Sequence, residues 1–226
     1  MASLSPSQLA GLIDHTLLRP DATASDISQL CDEALEYGFA TVCVNPVHVR
    51  QCADRLSNSD VGVCTVAGFP LGGASTAEKV AAVEQGLRDG AVEFDMVMNI
   101  GALKEGNFTL VSGDIEAVAV AAESHTVKVI IETCLLTEAE KKEATEIVRD
   151  SGADFVKTST GFSTGGATLA DVRLLRETVG EEFGVKASGG IKGFGHVVSL
   201  VEAGASRIGA SASVAIVTGG RAASEY

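Results

Sequence analysis

The sequence predicts an α/β fold, a single-domain (β/α)8 TIM barrel, on three observations. Short apolar, β-rich runs recur eight times along the chain, helical segments with recognisable ends separate them, and 226 residues is the size of one such barrel rather than of two ordinary domains. Strands that alternate with helices pair in parallel, and parallel strands covered on both faces read as near-continuous hydrophobic runs. A doubly wound open sheet is the alternative. The first strand-to-helix turn lacks G-x-G-x-x-G, which weakens a dinucleotide-binding version of that sheet.

In chain order the runs fall at 12–15 (LIDH), 40–45 (ATVCVN), 61–68 (VGVCTVAG), 92–99 (VEFDMVMN), 126–132 (TVKVIIE), 154–160 (DFVKTST), 184–189 (GVKASG) and 206–211 (SRIGAS). Between them, Ser75-x-x-Glu78 and Thr137-x-x-Glu140 match the capping box, in which a hydroxyl and a carboxylate satisfy the orphan N–H groups of a helix start. Gly38, Gly90, Gly152, Gly180 and Gly204 stand where a helix closes on a left-handed residue. Three of them precede alanine and a strand, a weak internal period of helix, glycine and strand. No linker, low-complexity tract or composition shift marks a boundary. Residues 1–226 are therefore expected to form one barrel domain, with 218–226 as a mobile C-terminal tail.

The N-terminal stretch has no basic region followed by an apolar core, and no apolar segment reaches the 18 or so residues of a membrane span. A cytoplasmic protein is expected, without membrane partners. Five cysteines, odd in number and without a C-x-x-C pair, argue for free thiols rather than a disulfide framework or a zinc site. Four histidines without ligand spacing add no metal site. A net charge of −13 repels nucleic acid, so an anionic substrate needs a positive field built locally by the site.

Charged residues inside the apolar runs carry the chemistry. In a barrel, polar side chains at the C-terminal ends of strands face the catalytic mouth. Asp95 in EFDMV, Lys128 in VKVIIE, Lys157 in FVKTST and Lys186 in GVKASGG are such residues. A plain ion pair would explain any one of them, and Lys128 has Glu132 nearby as a neutralising partner. Two lysines and an aspartate directed into one interior point instead to an activated amine. A free lysine with a pKa of about 10.4 is neutral in only about one molecule in 2,500 at pH 7. A second ammonium about 4 Å away raises the charged form by about 4 kcal/mol at an effective dielectric of about 20. Lys186, one strand further on, is placed to supply that charge, because neighbouring strands run about 4.8 Å apart. Lys157 then attacks a carbonyl as a Schiff-base nucleophile, while Asp95 holds Lys186 charged and moves protons through a water. Gly161, Gly189 with Gly190, and Gly209 with Ser211 end the last three runs, where backbone N–H groups cradle phosphate in this fold.

DFVKTSTGF, GVKASGGI, EFDMVMNIGALKEG, VKVIIETCLLT, CVNP and RIGAS together resemble the deoxyribose-phosphate aldolases, in the short form of bacteria and archaea, from Asp14 to about Val217. The resemblance implies a barrel that reversibly cleaves 2-deoxy-D-ribose 5-phosphate to acetaldehyde and D-glyceraldehyde 3-phosphate without metal or cofactor. It implies Lys157 as the Schiff-base lysine, Lys186 as its perturbing neighbour, Asp95 as the proton relay, and Gly161, Gly189, Gly190, Gly209 and Ser211 as the phosphate site. Cys43 corresponds to a cysteine near the aldehyde pocket of relatives, its default reading being a buried core thiol. Tyr226 resembles a terminal tyrosine that some members fold into the site, and Thr158 is a further candidate beside Lys157. Ser211 and Ala212 stand where many relatives have paired serines, and Ser213 where glycine is common, which puts one hydroxyl contact to phosphate in question. His15 is expected to orient Asp14 or to line the pocket. A homo-oligomer, dimer or tetramer, is expected although no stretch identifies an interface.

Three other readings compete. Another lysine-dependent aldolase or transaldolase would differ in substrate profile, and no arginine beside the lysine motifs favours a carboxylate substrate. A non-catalytic phosphosugar-binding barrel would still bind after Lys157→Ala. An isomerase using Asp95 as base would survive Lys157→Arg, whereas a Schiff-base enzyme would not, because guanidinium does not deprotonate in proteins.

Overall fold

The computed structural model describes residues 5–219. Eight parallel strands close on themselves in chain order: β1 (Ile13–Leu17), β2 (Thr41–Val44), β3 (Gly62–Ala67), β4 (Glu93–Val97), β5 (Thr126–Ile130), β6 (Phe155–Lys157), β7 (Gly184–Ser188) and β8 (Arg207–Ala210), with β8 pairing back onto β1. Seven of the expected runs contain a strand each, and β1 overlaps the first run, 12–15, but continues two residues past it to Leu17. The sixth is much shorter than its run, because the Thr158 hydroxyl turns to the backbone of Ser188 and the chain leaves the ladder. The helices are α1 (Pro6–Ala10), α2 (Ala24–Tyr37), α3 (Val49–Leu56), α4 (Thr76–Asp89), α5 (Ile100–Lys104), α6 (Phe108–Ala121), α7 (Glu138–Asp150), α8 (Leu169–Val179), α9 (Phe194–Glu202) and α10 (Ser213–Val217).

Both expected capping boxes form, at the starts of α4 and α7. Two more occur at Ser5 with Gln8 and at Thr23 with Asp26. The five helix-closing glycines all have positive φ, and Gly180 differs from the expectation in its extended ψ of −169°.

Alternation along the strands sorts the side chains into two layers. Val42, Val63, Phe94, Met96, Val127, Val129, Val156, Val185 and Ile208 point outward and join the main apolar core between the strands and the helices. Inside the ring the apolar content is slight: Leu18, Cys43, Cys64 and Val66 pack together beneath Phe69. β1 and β4 to β8 each also turn at least one ionised side chain inward, Asp14, Glu93, Asp95, Lys128, Lys157, Lys186 and Arg207, which concentrates the charged groups at the barrel axis. Among the described residues, no helix is long and apolar enough to cross a membrane.

Candidate active site

Strand register brings the charged side chains together. Asp95 of β4 pairs across to Lys128 of β5, and Lys157 of β6 lies directly opposite Lys186 of β7. Asp95 is their common partner. Its Oδ2 accepts from Lys157 Nζ at 2.7 Å and from Lys186 Nζ at 2.6 Å, and its Oδ1 accepts from Lys128 Nζ at 3.0 Å. Two ammonium nitrogens on one oxygen are necessarily near neighbours.

A second tier lies beneath. Lys186 Nζ is 2.5 Å from Asp14 Oδ2, Lys128 contacts Glu93, and Arg207 joins Asp14 Oδ1 at 2.7 Å to Glu93 Oε2 at 3.0 Å. Each strand from β4 to β8, together with β1, thus contributes at least one charge. The cluster holds four cations (Lys128, Lys157, Lys186, Arg207) against three carboxylates (Asp14, Glu93, Asp95). Removal of one proton balances it.

Burial works to raise the Asp95 carboxyl, but Lys128, Lys157 and Lys186 outweigh it and hold the group well below the usual carboxylate range. Asp14 is lowered in the same way, burial being overcome by Lys186, Lys128 and Arg207. Desolvation alone would strip the proton from Lys186, yet Asp14 and Asp95 push that lysine above its ordinary value. Lys128 is raised too, with Asp95, Cys64, Asp14 and Glu93 prevailing over desolvation. Lys128 and Lys186 are therefore fixed ammonium groups. Lys157 differs in place: its side chain is 4 % exposed where the other two are fully enclosed, and it forms part of the wall of a cleft at the C-terminal mouth.

Thr16, Leu18, Thr160, Gly161, Phe162, Ser188, Gly189, Gly209, Ala210 and Ser211 complete that wall. Of the expected phosphate residues, Gly161, Gly189, Gly209 and Ser211 line the cleft, whereas Gly190 is adjacent in sequence but not part of the lining. Gly189 has a φ of 84°, and a Cβ there would stand 3.1 Å from the Gly166 Cα, so a bulkier residue is excluded. Ala212 offers no hydroxyl, and Ser213 does not replace it, because its Oγ is buried and donates to the Ala210 carbonyl at 2.8 Å.

Several expectations are corrected. Glu132 does not neutralise Lys128; it accepts from Thr160 instead, while Lys128 serves Asp95 and Glu93. His15 does not orient Asp14 but bonds Glu33 at 2.7 Å, outside the ring. Thr158 is fully buried, and its hydroxyl joins β6 to β7 rather than facing the cleft. Cys43 is fully buried, in line with its default reading as a core thiol, and a hydrogen bond from Cys64 lowers its thiol pKa. Cys64 itself donates to Asp95 Oδ1 at 3.3 Å. Tyr226 lies outside the described residues. Cys43, Cys64 and Asp95 offer ligand atoms within 4.8 Å of one another, the spacing of a metal site. The same carboxylate already accepts from three ammonium groups, so a further cation there would be repelled. Sequence reasoning missed Asp14, Glu93 and Arg207.

A barrel with a cleft-facing lysine held beside a second lysine and a shared buried carboxylate defines the class of lysine-dependent barrel enzymes. The chain belongs to the DeoC/LacD family of aldolases, whose model matches residues 9–220. It is 56 % identical over 219 residues to a deoxyribose-phosphate aldolase of Exiguobacterium sibiricum, covering 96 % of this chain and 99 % of that one. Among solved structures it resembles a putative deoxyribose-phosphate aldolase of Coccidioides immitis, with TM-score 0.93 and 45 % identity over 96 % of this chain and 87 % of that one. It also resembles the tetrameric deoxyribose phosphate aldolase of Aeropyrum pernix, with TM-score 0.89 and 35 % identity over 95 % and 91 %.

Proposed function

We propose that Lys157 is the Schiff-base amine of an aldolase that reversibly cleaves 2-deoxy-D-ribose 5-phosphate to acetaldehyde and D-glyceraldehyde 3-phosphate. The observation that carries this reading is the asymmetry of the three lysines: all share Asp95, but only Lys157 reaches the cleft. With Lys157 neutral, the buried cluster balances at three cations and three carboxylates.

The neutral amine attacks the C1 aldehyde of the open-chain sugar, and loss of water leaves a protonated imine. Removal of the C3 hydroxyl proton lets the C2–C3 bond break. Its electron pair passes to the imine and forms an enamine, while C3 becomes the aldehyde of glyceraldehyde 3-phosphate. Protonation of the enamine and hydrolysis release acetaldehyde and restore Lys157. Asp95, bound to Lys157 and Lys186 together, is the group through which protons return, by way of a water. Lys186 stays charged beside the reacting amine, held above its ordinary value by Asp14 and Asp95. The apolar cluster that meets the cleft at Leu18 suits the two-carbon fragment, and the turns at Gly161, Gly189, Gly209 and Ser211, with Gly190 next to the lining, suit the phosphate. The protein functions in the cytoplasm as a homo-oligomer, by analogy with the tetrameric relative.

Borohydride treatment in the presence of acetaldehyde, followed by peptide mass spectrometry, tests the reading. A two-carbon adduct on Lys157 is expected. A folded protein that binds the phosphosugar but carries no adduct would eliminate covalent catalysis.

A further inference from the structure

Just beyond β5, Glu132 combines three features that the proposed chemistry does not use. Its φ of 53° lies in the left-handed region, which a glutamate adopts under strain. Its side chain is buried, 2 % exposed. Among the described residues it forms no ion pair, although every other buried carboxylate near the barrel axis has a cation. A buried charge without a counter-charge is retained only where hydrogen bonds satisfy it.

Apart from a long contact from the Cys134 thiol to Oε1 at 3.9 Å, those hydrogen bonds come from one residue. Both carboxylate oxygens accept from the Thr160 N–H at 3.3 Å, and Oε2 accepts from Thr160 Oγ1 at 2.5 Å. The same hydroxyl oxygen accepts from the Phe162 N–H at 3.0 Å. The proton of Thr160 is thus committed to Glu132 and its lone pair to Phe162. Gly161 between them takes a φ of 85°. Thr160, Gly161 and Phe162 are three consecutive residues of the cleft wall, three to five positions beyond Lys157. The edge of Phe162 is packed against Phe69, with ring centroids 5.3 Å apart, which secures the outer end of the turn. Charge-assisted hydrogen bonds are roughly twice as strong as neutral ones, so the carboxylate stiffens this turn where an amide would hold it more loosely.

We infer that Glu132 is a positioning residue for the phosphate end of the substrate, acting through the Thr160-Gly161-Phe162 turn without touching the reacting carbons. The inference rests on the reading of the cleft as a phosphosugar site. A purely structural role would weaken every substrate alike. A positioning role discriminates between a sugar with its phosphate and the same sugar without it.

Steady-state kinetics of Glu132→Gln, Glu132→Gly and Thr160→Val on 2-deoxyribose 5-phosphate and on 2-deoxyribose test it, together with calorimetric titration of inorganic phosphate. Glycine is chosen because it adopts the left-handed backbone freely. For Glu132→Gly the KM for the phosphorylated sugar should rise about tenfold, the effect of losing one strong hydrogen bond. Its kcat should stay within about twofold, and kcat/KM for 2-deoxyribose should not move. Phosphate affinity should fall in step, Glu132→Gln should lie between, and Thr160→Val should match the glycine variant. Equal losses on both sugars, or a loss of kcat at constant KM, would overturn the inference. Thr160→Val decides the matter if neither Glu132 variant folds. Should the wild-type protein neither turn over the phosphosugar nor form the Lys157 adduct, the reading of the cleft fails first; the phosphate titration still reports on the turn.

Discussion

Replacing Asp95 by asparagine removes the one carboxylate that three ammonium groups share. In the native chain the cluster carries four cations and three anions; in Asp95→Asn it carries four and two, all away from water. At an effective dielectric of about 20, each contact of 2.6–2.7 Å is an attraction of about 6 kcal/mol, and the 3.0 Å contact is slightly weaker. The full sum is never lost, because a lysine without its counter-charge sheds its proton instead of remaining a bare buried ion. Breaking one buried pair destabilises by about 3–5 kcal/mol, and that range is the expected effect here. It is a large share of the roughly 5–15 kcal/mol that holds a domain folded. In urea, with a slope near 3 kcal/mol/M, the unfolding midpoint followed by circular dichroism at pH 7 should fall by roughly 1–1.5 M. Adding Lys128→Met to Asp95→Asn returns the charge excess to one, so the double variant should be more stable than additivity predicts by about 1.5 kcal/mol or more. A loss below about 1 kcal/mol in the single variant, or strict additivity in the double, would refute the claim that these groups form one charge-balanced unit.

Two further predictions follow from the same geometry. The Asp95 and Asp14 carboxyls are held below their ordinary range, so the stability they add is complete above the unfolded carboxylate pKa of about 3.9 and is lost as pH falls through their lower folded values. Lys186 and Lys128, held high, contribute fully below about pH 10.4 and lose that contribution in stronger alkali. Urea midpoints should owe no change to these groups between pH 5 and 9, and Asp14→Asn should flatten the acid limb; an unaltered acid limb in that variant would contradict the assignment. Gly209→Ala would set a Cβ 3.0 Å from Lys186 Cε and from Ser188 Cβ. Crowding of that kind destabilises by about 1–3 kcal/mol, or about 2–4 °C in Tm per kcal/mol for a chain of this size. The thermal scan should show it alongside a fall in kcat as Lys186 is displaced, and an unchanged Tm would show that the neighbours yield freely.

The strands were legible because each combines an apolar run with a turn signal at its end, and Lys157, Lys186 and Asp95 stood out as charges in apolar company. Asp14, Glu93 and Arg207 were harder to read. They lie near the starts of their strands, where a charge is normally the edge of a solvated loop, and only barrel closure places β1 and β4 within reach of one arginine on β8. The misreading of Lys128 has a different origin. Glu132, four residues downstream, would be its neighbour on a helix, but four residues along a strand span about 13 Å. Lys79 and Asp114 form a buried pair between α4 and α6 at a separation of 35 residues, and no local pattern announces it. The left-handed Glu132 resembled an ordinary strand end, since nothing but its backbone conformation and the distant Thr160 sets it apart.

The division of the strands into an outward apolar face and an inward charged one separates two kinds of heritable change. On β4, Phe94 and Met96 answer to the helices, while Glu93 and Asp95 answer to the lumen. A lineage can therefore adjust its heat tolerance by exchanging residues on one face while its reaction is conserved on the other. The same property makes the outer layer the place to begin when adapting this barrel to harsher conditions, with the lumen left as found.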